Sequence, residues 1–212
     1  MKKTIFLLIC AVIGNALGTA LMTNTSLGLT AWGSAAYNIG IFFDISFGTA
    51  FIIMAIIFYL IALLISKKVD VVEMILSLAF LVSFGILSDL FIWIIPDMTN
   101  ISYVLRLLIN FLGLGILIFS IALHLKILIA VHPSDVFLYQ MQTICKSDSI
   151  GTYLTYGIAF LMAIVFGLLA GEISGINVGT VITVLFSGLM IKMYNRTILK
   201  NIKLEKKKIN NK

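Results

Sequence analysis

Six stretches of about twenty residues are built almost wholly from Leu, Ile, Val, Phe, Ala, Gly and Met, and nothing else in this sequence restricts the fold as much. They run over 5–22, 47–66, 71–95, 103–123, 150–170 and 177–195. At about 1.5 Å rise per residue, helices of that length cross the roughly 30 Å hydrocarbon core of a bilayer. Inside hydrocarbon the backbone must satisfy its own hydrogen bonds, which leaves helices or a closed barrel. A barrel would show alternating segments of about ten residues, and these runs do not alternate. With 61% hydrophobic and 11% charged residues among 212 and a mean hydropathy of +1.13, a water-soluble fold is excluded. The expectation is an all-α membrane protein with six transmembrane helices. The opening "MKKTIFLLICAVIGNALGTALM" has the shape of a signal peptide, but the chain after it is just as apolar, so it reads as the first span.

Two shorter amphipathic segments remain, over 31–43 and 134–145. Each is about 20 Å long or less as a helix, too short to cross. In the first, Trp32, Ala35, Ala36, Ile39 and Phe43 make one stripe, with Ser34 and Asn38 off it at i and i+4. In the second the stripe is Phe137, Leu138, Met141, Ile144 and Cys145, with Gln140 and Thr143 on another face. Such helices either lie in the membrane interface or dip into the protein as re-entrant segments.

Lysines fix the sides. With six spans and Lys2 and Lys3 in the cytoplasm, Lys67, Lys68, Lys126, Lys146 and the tail "LKNIKLEKKKINNK" also fall there. The opposite side receives Asp44, "PDMTNIS" (96–102) and "GEISGIN" (171–177), with no Lys or Arg. Eight spans would place Lys67 and Lys68 outside. The sequence therefore reads as a multi-pass protein of the cell membrane with both termini cytoplasmic. The net charge of +6 comes largely from the tail. The tail suits anionic membrane lipid, so no nucleic-acid partner is expected.

The two halves share one order: a long helix, a loop, a short amphipathic helix, then two long helices joined by a tight turn. Residues 1–98 form the first membrane repeat, 99–197 the second and 198–212 the basic tail. A shift of 103 residues superimposes "SFGTA" (46–50) on "SIGTY" (149–153) and Gly85 on Gly188. Three spans per repeat invert the second half relative to the first, a common transporter design.

Polar residues within so apolar a chain are the candidates for function. Asp89 and Arg106 stand at similar depth in one hairpin and are expected to pair, because a lone charge at depth is costly. Asn15 and Asn110 serve as interhelical bonds or as ligand contacts. "GNALG" (14–18) allows close helix approach, within the bundle or in a homo-oligomer. Gly48 with Thr49 and Gly151 with Thr152 open spans where the short segments fold back. In "HPSDVFLYQM" (132–141), Pro133 breaks the preceding helix, and Ser134 or Asp135 is expected to cap the next one. Trp32, Ser34, Asn38, His132, Ser134 and Asp135 are the substrate or gate candidates.

The "TSLGLTAW" turn, the "HPSD" turn, the "FGTA" and "IGTY" helix starts and "NVGT" (177–180) resemble the YczE/YyaS/YitT-like family of bacterial integral membrane proteins. That resemblance implies a Pro-Trp-Asp-like turn before each short helix. The first copy keeps Trp32 but has Ala31 and Gly33, and the second keeps Pro133 and Asp135 but has Ser134. It implies the fold more than an activity.

No Walker A loop, HExxH, CxxC or Ser/His/Asp spacing is present. Enzyme activity, a cofactor and a metal site are not expected. The sequence supports a secondary transporter or permease for a small molecule. A membrane accessory protein and, behind it, an oligomeric channel are the rivals.

Overall fold

The computed structural model describes residues 2–67, 70–127, 132–200 and 202. Eight helices follow in order: α1 Lys2–Thr25, α2 Ala31–Phe43, α3 Phe47–Ser66, α4 Val71–Ile94, α5 Tyr103–Ile127, α6 Pro133–Cys145, α7 Asp148–Leu169 and α8 Val178–Arg196. No strand occurs among the described residues. Six helices, all but α2 and α6, are long and apolar enough to cross a membrane. Large apolar side chains such as Phe6, Leu64, Trp93 and Leu189 lie exposed on them, an unusual surface for water and the expected one for lipid. Lys68 and tail residues 203–212 lie outside the described residues.

Helices α1 and α5 pack most intimately of all the pairs, and glycine is the reason. A Cβ on Gly18 would stand 2.6 Å from the carbonyl oxygen of Gly113, and one on Gly113 would stand 2.9 Å from that of Gly18. The GxxxG face of α1 is therefore spent inside the bundle, with Gly14 against Ser120. Around this pair, α4 packs on α1 and α8 on α5; α2 lies between α3 and α7, and α6 also lies between α3 and α7. Helices α3 and α4 cross where Gly48 meets Gly85. Beside the chain termini, Ala11, Ala122, Leu123, Ile127 and Leu199 form a second small core. Lys126 donates to the carbonyl of Leu199 there. This is the termini end of the bundle; the loops 95–102 and 170–177 make the far end.

The short helices have the same length and the same exit. Helix α2 ends with Asp44 N–H donating to Ile41 O and Ile45 N–H to Gly40 O; α6 ends with Lys146 N–H donating to Thr143 O and Ser147 N–H to Gln142 O. Both are Schellman turns. Asp44 and Lys146 occupy the left-handed region at φ 53° and 50°, where glycine is the usual choice. Ser46 and Ser147 then cap α3 and α7. Each short helix is thereby folded back antiparallel on the span that follows it.

Candidate functional site: a mid-bundle junction and a far-end cleft

The opening turns of α2 and α6 reach the same ring, Phe58 of α3, in the middle of the bundle. Trp32, in the first turn of α2, lies edge-on to Phe58 with ring centroids 5.0 Å apart. Phe137 of α6 meets the same ring at 4.8 Å. Phe58 is eleven residues into the twenty of α3, so both short helices run from mid-height outward, α2 to the far end and α6 to the termini end. His132, ahead of α6, is wrapped by Phe51, Phe80 and Phe84, at centroid distances of 5.8, 5.7 and 6.2 Å. His124 stacks flat on the same Phe80 ring at 4.2 Å.

His132 is the N-cap of α6. Its Nδ1 accepts from the Ser134 N–H at 3.3 Å and lies 2.6 Å from the Ser134 hydroxyl, and Pro133 takes the first helical position. The expectation that Ser134 or Asp135 caps this helix is thus corrected: Pro133 places the ring, rather than its successors, where the free N–H groups point. Burial holds the His132 imidazole neutral, its pKa pushed down to about 3, with His124 acting in the same direction. Asp135 follows in the first turn. Among the described residues nothing bonds its carboxyl, and burial pushes its pKa up to about 7.

The start of α2 is held by a distant loop. Ser34 Oγ donates to Gly175 O at 2.7 Å. Asn38 Nδ2 donates to Ser34 O and to Ser174 O, and Asn38 Oδ1 accepts from Ser174 N–H at 2.9 Å. Gly175 O also accepts from Leu29 N–H at 2.9 Å and from the Thr180 hydroxyl at 3.1 Å. Ser34 and Asn38 are completely buried.

Above this clamp the far end opens into a cleft of about 190 Å³. Its floor is Met22, Gly28 and Leu29, and its polar walls include Thr23, Ser26, Tyr37, Glu172, Ser174 and Asn177. Tyr37 is half-buried; burial pushes its phenol pKa up, and Asp97 and Glu172 add to the shift, so both carboxylates stand near the ring. The N–H and hydroxyl of Thr99 hold the Asp97 carboxyl below the usual range, with Arg106 acting the same way.

A model of a family described as a family of unknown function, DUF6198, matches residues 2–196. The chain belongs to that family. Comparison with curated proteins and with solved structures found no match. The function of DUF6198 is unknown.

Of the candidates in this DUF6198 chain, His132, Ser134 and Asp135 stand together at the start of α6, and Trp32 lies across the Phe58 ring from Phe137 of that helix. Ser34 and Asn38 brace the cleft from behind and do not line it. The expected ion pair is not formed. Asp89 accepts from the Ser46 hydroxyl and the Gly48 N–H, both at 2.6 Å, so it caps α3. Arg106 donates from Nε and Nη2 to Thr25 O at 2.9 and 2.6 Å, so it caps the end of α1. Equal depth along a hairpin does not set the direction around each helix, and these two side chains face different neighbours. Asn110 ties α5 to α1 through Thr25 Oγ1 and to Gly28 O; its role is that of an interhelical bond. Asn15 is buried within α1. Thr49 completes the α3 cap, Gly151 lets α7 touch the backbone of Met141 and Gln142, and Thr152 accepts from Gln142 Nε2 at 3.0 Å. Sequence reasoning missed Tyr37, Glu172 and Asn24. Asn24 bonds Ile92 O and Ile95 O, and its own carbonyl accepts from Met98 N–H. The polar letters of "GEISGIN" were the available signal for the cleft.

Proposed function

We propose that the chain is a secondary transporter or permease for a small molecule, with α2 and α6 as re-entrant gate helices. The observation that carries this reading is the meeting of Trp32 and Phe137 on Phe58. Two half-helices start at mid-height, run to opposite ends and leave by the same turn. Half-helices that start at mid-membrane at the repeat interface are a transporter design, because such broken helices can gate a path without crossing the bilayer. Helix pairing supports two inverted repeats. Exchanging α1 with α5, α2 with α6, α3 with α7 and α4 with α8 maps α1·α4 onto α5·α8, α2·α3 onto α6·α7 and α2·α7 onto α6·α3. The exchange fails at α3·α4, which pack closely where α7·α8 do not.

In this reading the far-end cleft is the open vestibule and the aromatic junction below it the closed gate. Rocking one repeat against the other would close the cleft and open the path beside α6. Both termini lie in the cytoplasm of a cell membrane. Kinship with the YczE/YyaS/YitT-like proteins remains a proposal resting on the short motifs. The accessory reading draws on one observation: the junction is filled by Trp32, Phe51, Phe58, Phe80, Phe84 and Phe137. Flux separates the two. Purified protein in liposomes should move solute across a broad metabolite panel with and without a pH gradient; no flux for any solute would favour the accessory role.

A further inference from the structure

We infer that the far-end cleft is a binding site for a small organic cation, an amine or quaternary ammonium compound. This rests in part on the reading of the cleft as a vestibule, and it names the chemistry of what enters there.

Three observations converge. The first is size. At about 30 Å³ per water, 190 Å³ is the space of about six waters, enough for a ligand of similar heavy-atom count. The second is charge. The loops at this end, 26–30, 44–46, 95–102 and 170–177, contain Asp44, Asp97 and Glu172 and no Lys, Arg or His. The nearest cation, Arg106, is bound to Thr25 O and acts on Asp97. It offsets one carboxylate, and among the described residues no ion pair compensates the Glu172 charge in the cleft wall. The third is the surface a cation would meet. Tyr37 lines the cleft within the field of Glu172 and Asp97, and an aromatic face beside a carboxylate attracts ammonium groups.

The remaining lining fits the same class. Met22 and Leu29 give an apolar floor for methyl or methylene groups. The Thr23 hydroxyl gives its proton to Thr19 O, which leaves the oxygen to accept. Asn177 is committed to Val178 N–H and Ser26 O. The cleft thus presents acceptors, an aromatic ring and a carboxylate, a poor match for an anion.

The test is titration calorimetry on the purified full-length protein in detergent, with tetramethylammonium chloride as probe and sodium acetate as the anionic comparison. Saturable binding of tetramethylammonium without binding of acetate is expected. Glu172 is exposed, so Glu172→Gln should leave the fold intact and weaken binding about fivefold, and raised salt should have a similar effect on the unaltered chain. Tyr37→Leu should weaken binding about tenfold. No saturable binding, or equal affinity in both variants, would overturn the inference. Flux is measured separately. Binding without flux in liposomes would remove the transport reading and keep the site, whereas solute flux untouched by either substitution would keep transport and remove the site.

Discussion

Helices α2 and α6 have one length and one exit turn but opposite starts, and the contrast indicates which of them is built to move. The start of α2 is locked by side chains that reach 136 to 141 residues along the chain, Asn38 to Ser174 and Ser34 to Gly175. Among the described residues the start of α6 has a local cap, a histidine bonded to the residue two positions on, followed by a carboxyl that none of them bonds. A long-range polar clamp must break in several places for α2 to shift. The apolar burial around His132 is non-directional and re-forms after a slide. On this account α2 is the more firmly held of the two gate helices and α6 the readier to move.

The largest effect that sharpens the comparison is expected at Asn38. Asn38→Leu removes three hydrogen bonds and leaves Ser174 N–H without its acceptor. It should cost about 2–3 kcal/mol and speed hydrogen exchange in 171–177. His132→Leu removes the cap bond and the Ser134 hydroxyl contact, both local and in surroundings that accept an apolar side chain, and should cost about 1 kcal/mol. Unfolding midpoints in a mild detergent decide; equal losses would erase the proposed asymmetry.

Next comes the pH dependence at the start of α6. The Asp135 pKa is raised from 3.8 to about 7, so the folded state holds a proton that the unfolded state releases, and stability falls as pH rises from about 4 to about 7. The His132 pKa is lowered from 6.5 to about 3, so the unfolded state takes a proton that the folded state refuses, and stability falls as pH drops below about 6.5. Between about pH 4 and 6.5 the two slopes oppose and nearly cancel. Asp135→Asn should expose the histidine slope, with stability rising with pH by up to about 1.4 kcal/mol per unit, and His132→Leu should expose the opposite slope. Parallel profiles for the unaltered chain and both variants would remove the assignment. In a flux assay the gate role further requires that Asp135→Asn fold normally with lost or pH-shifted transport.

The smallest effect concerns what the helices share. Asp44→Gly and Lys146→Gly relieve left-handed residues in equivalent turns, and each should stabilise by about 0.5–1 kcal/mol. Unfolding midpoints should rise alike. A gain at one turn only would show that the exits differ as the starts do.

The six spans and both short helices were legible because hydrophobic runs and amphipathic stripes are local properties. Ser34 and Asn38 could be singled out as polar residues beside an apolar stripe. Their partners could not, since nothing local connects Asn38 to Ser174. The Asp89–Arg106 pairing failed for the same reason, depth being readable from position along a span and azimuth not. The His132 cap was missed because Ser and Asp are the more frequent cap residues, whereas the backbone set by Pro133 decides which side chain reaches the free N–H groups. Tyr37 gives no local signal, because its place at the cleft depends on loops that only the fold brings near.

The central claim, that α2 and α6 gate one path from opposite ends, is tested most directly at Ala55, which is buried on α3 one turn from both Phe51 and Phe58. Cysteine there, in a chain with Cys10 and Cys145 changed to Ala, adds little volume. Reaction with a membrane-impermeant thiol reagent is measured in sealed right-side-out and inside-out vesicles. Alternating access predicts slow labelling from both sides; a cysteine at Ala55 that reacts from neither side, while one at Ser174 labels from the outside, would contradict it.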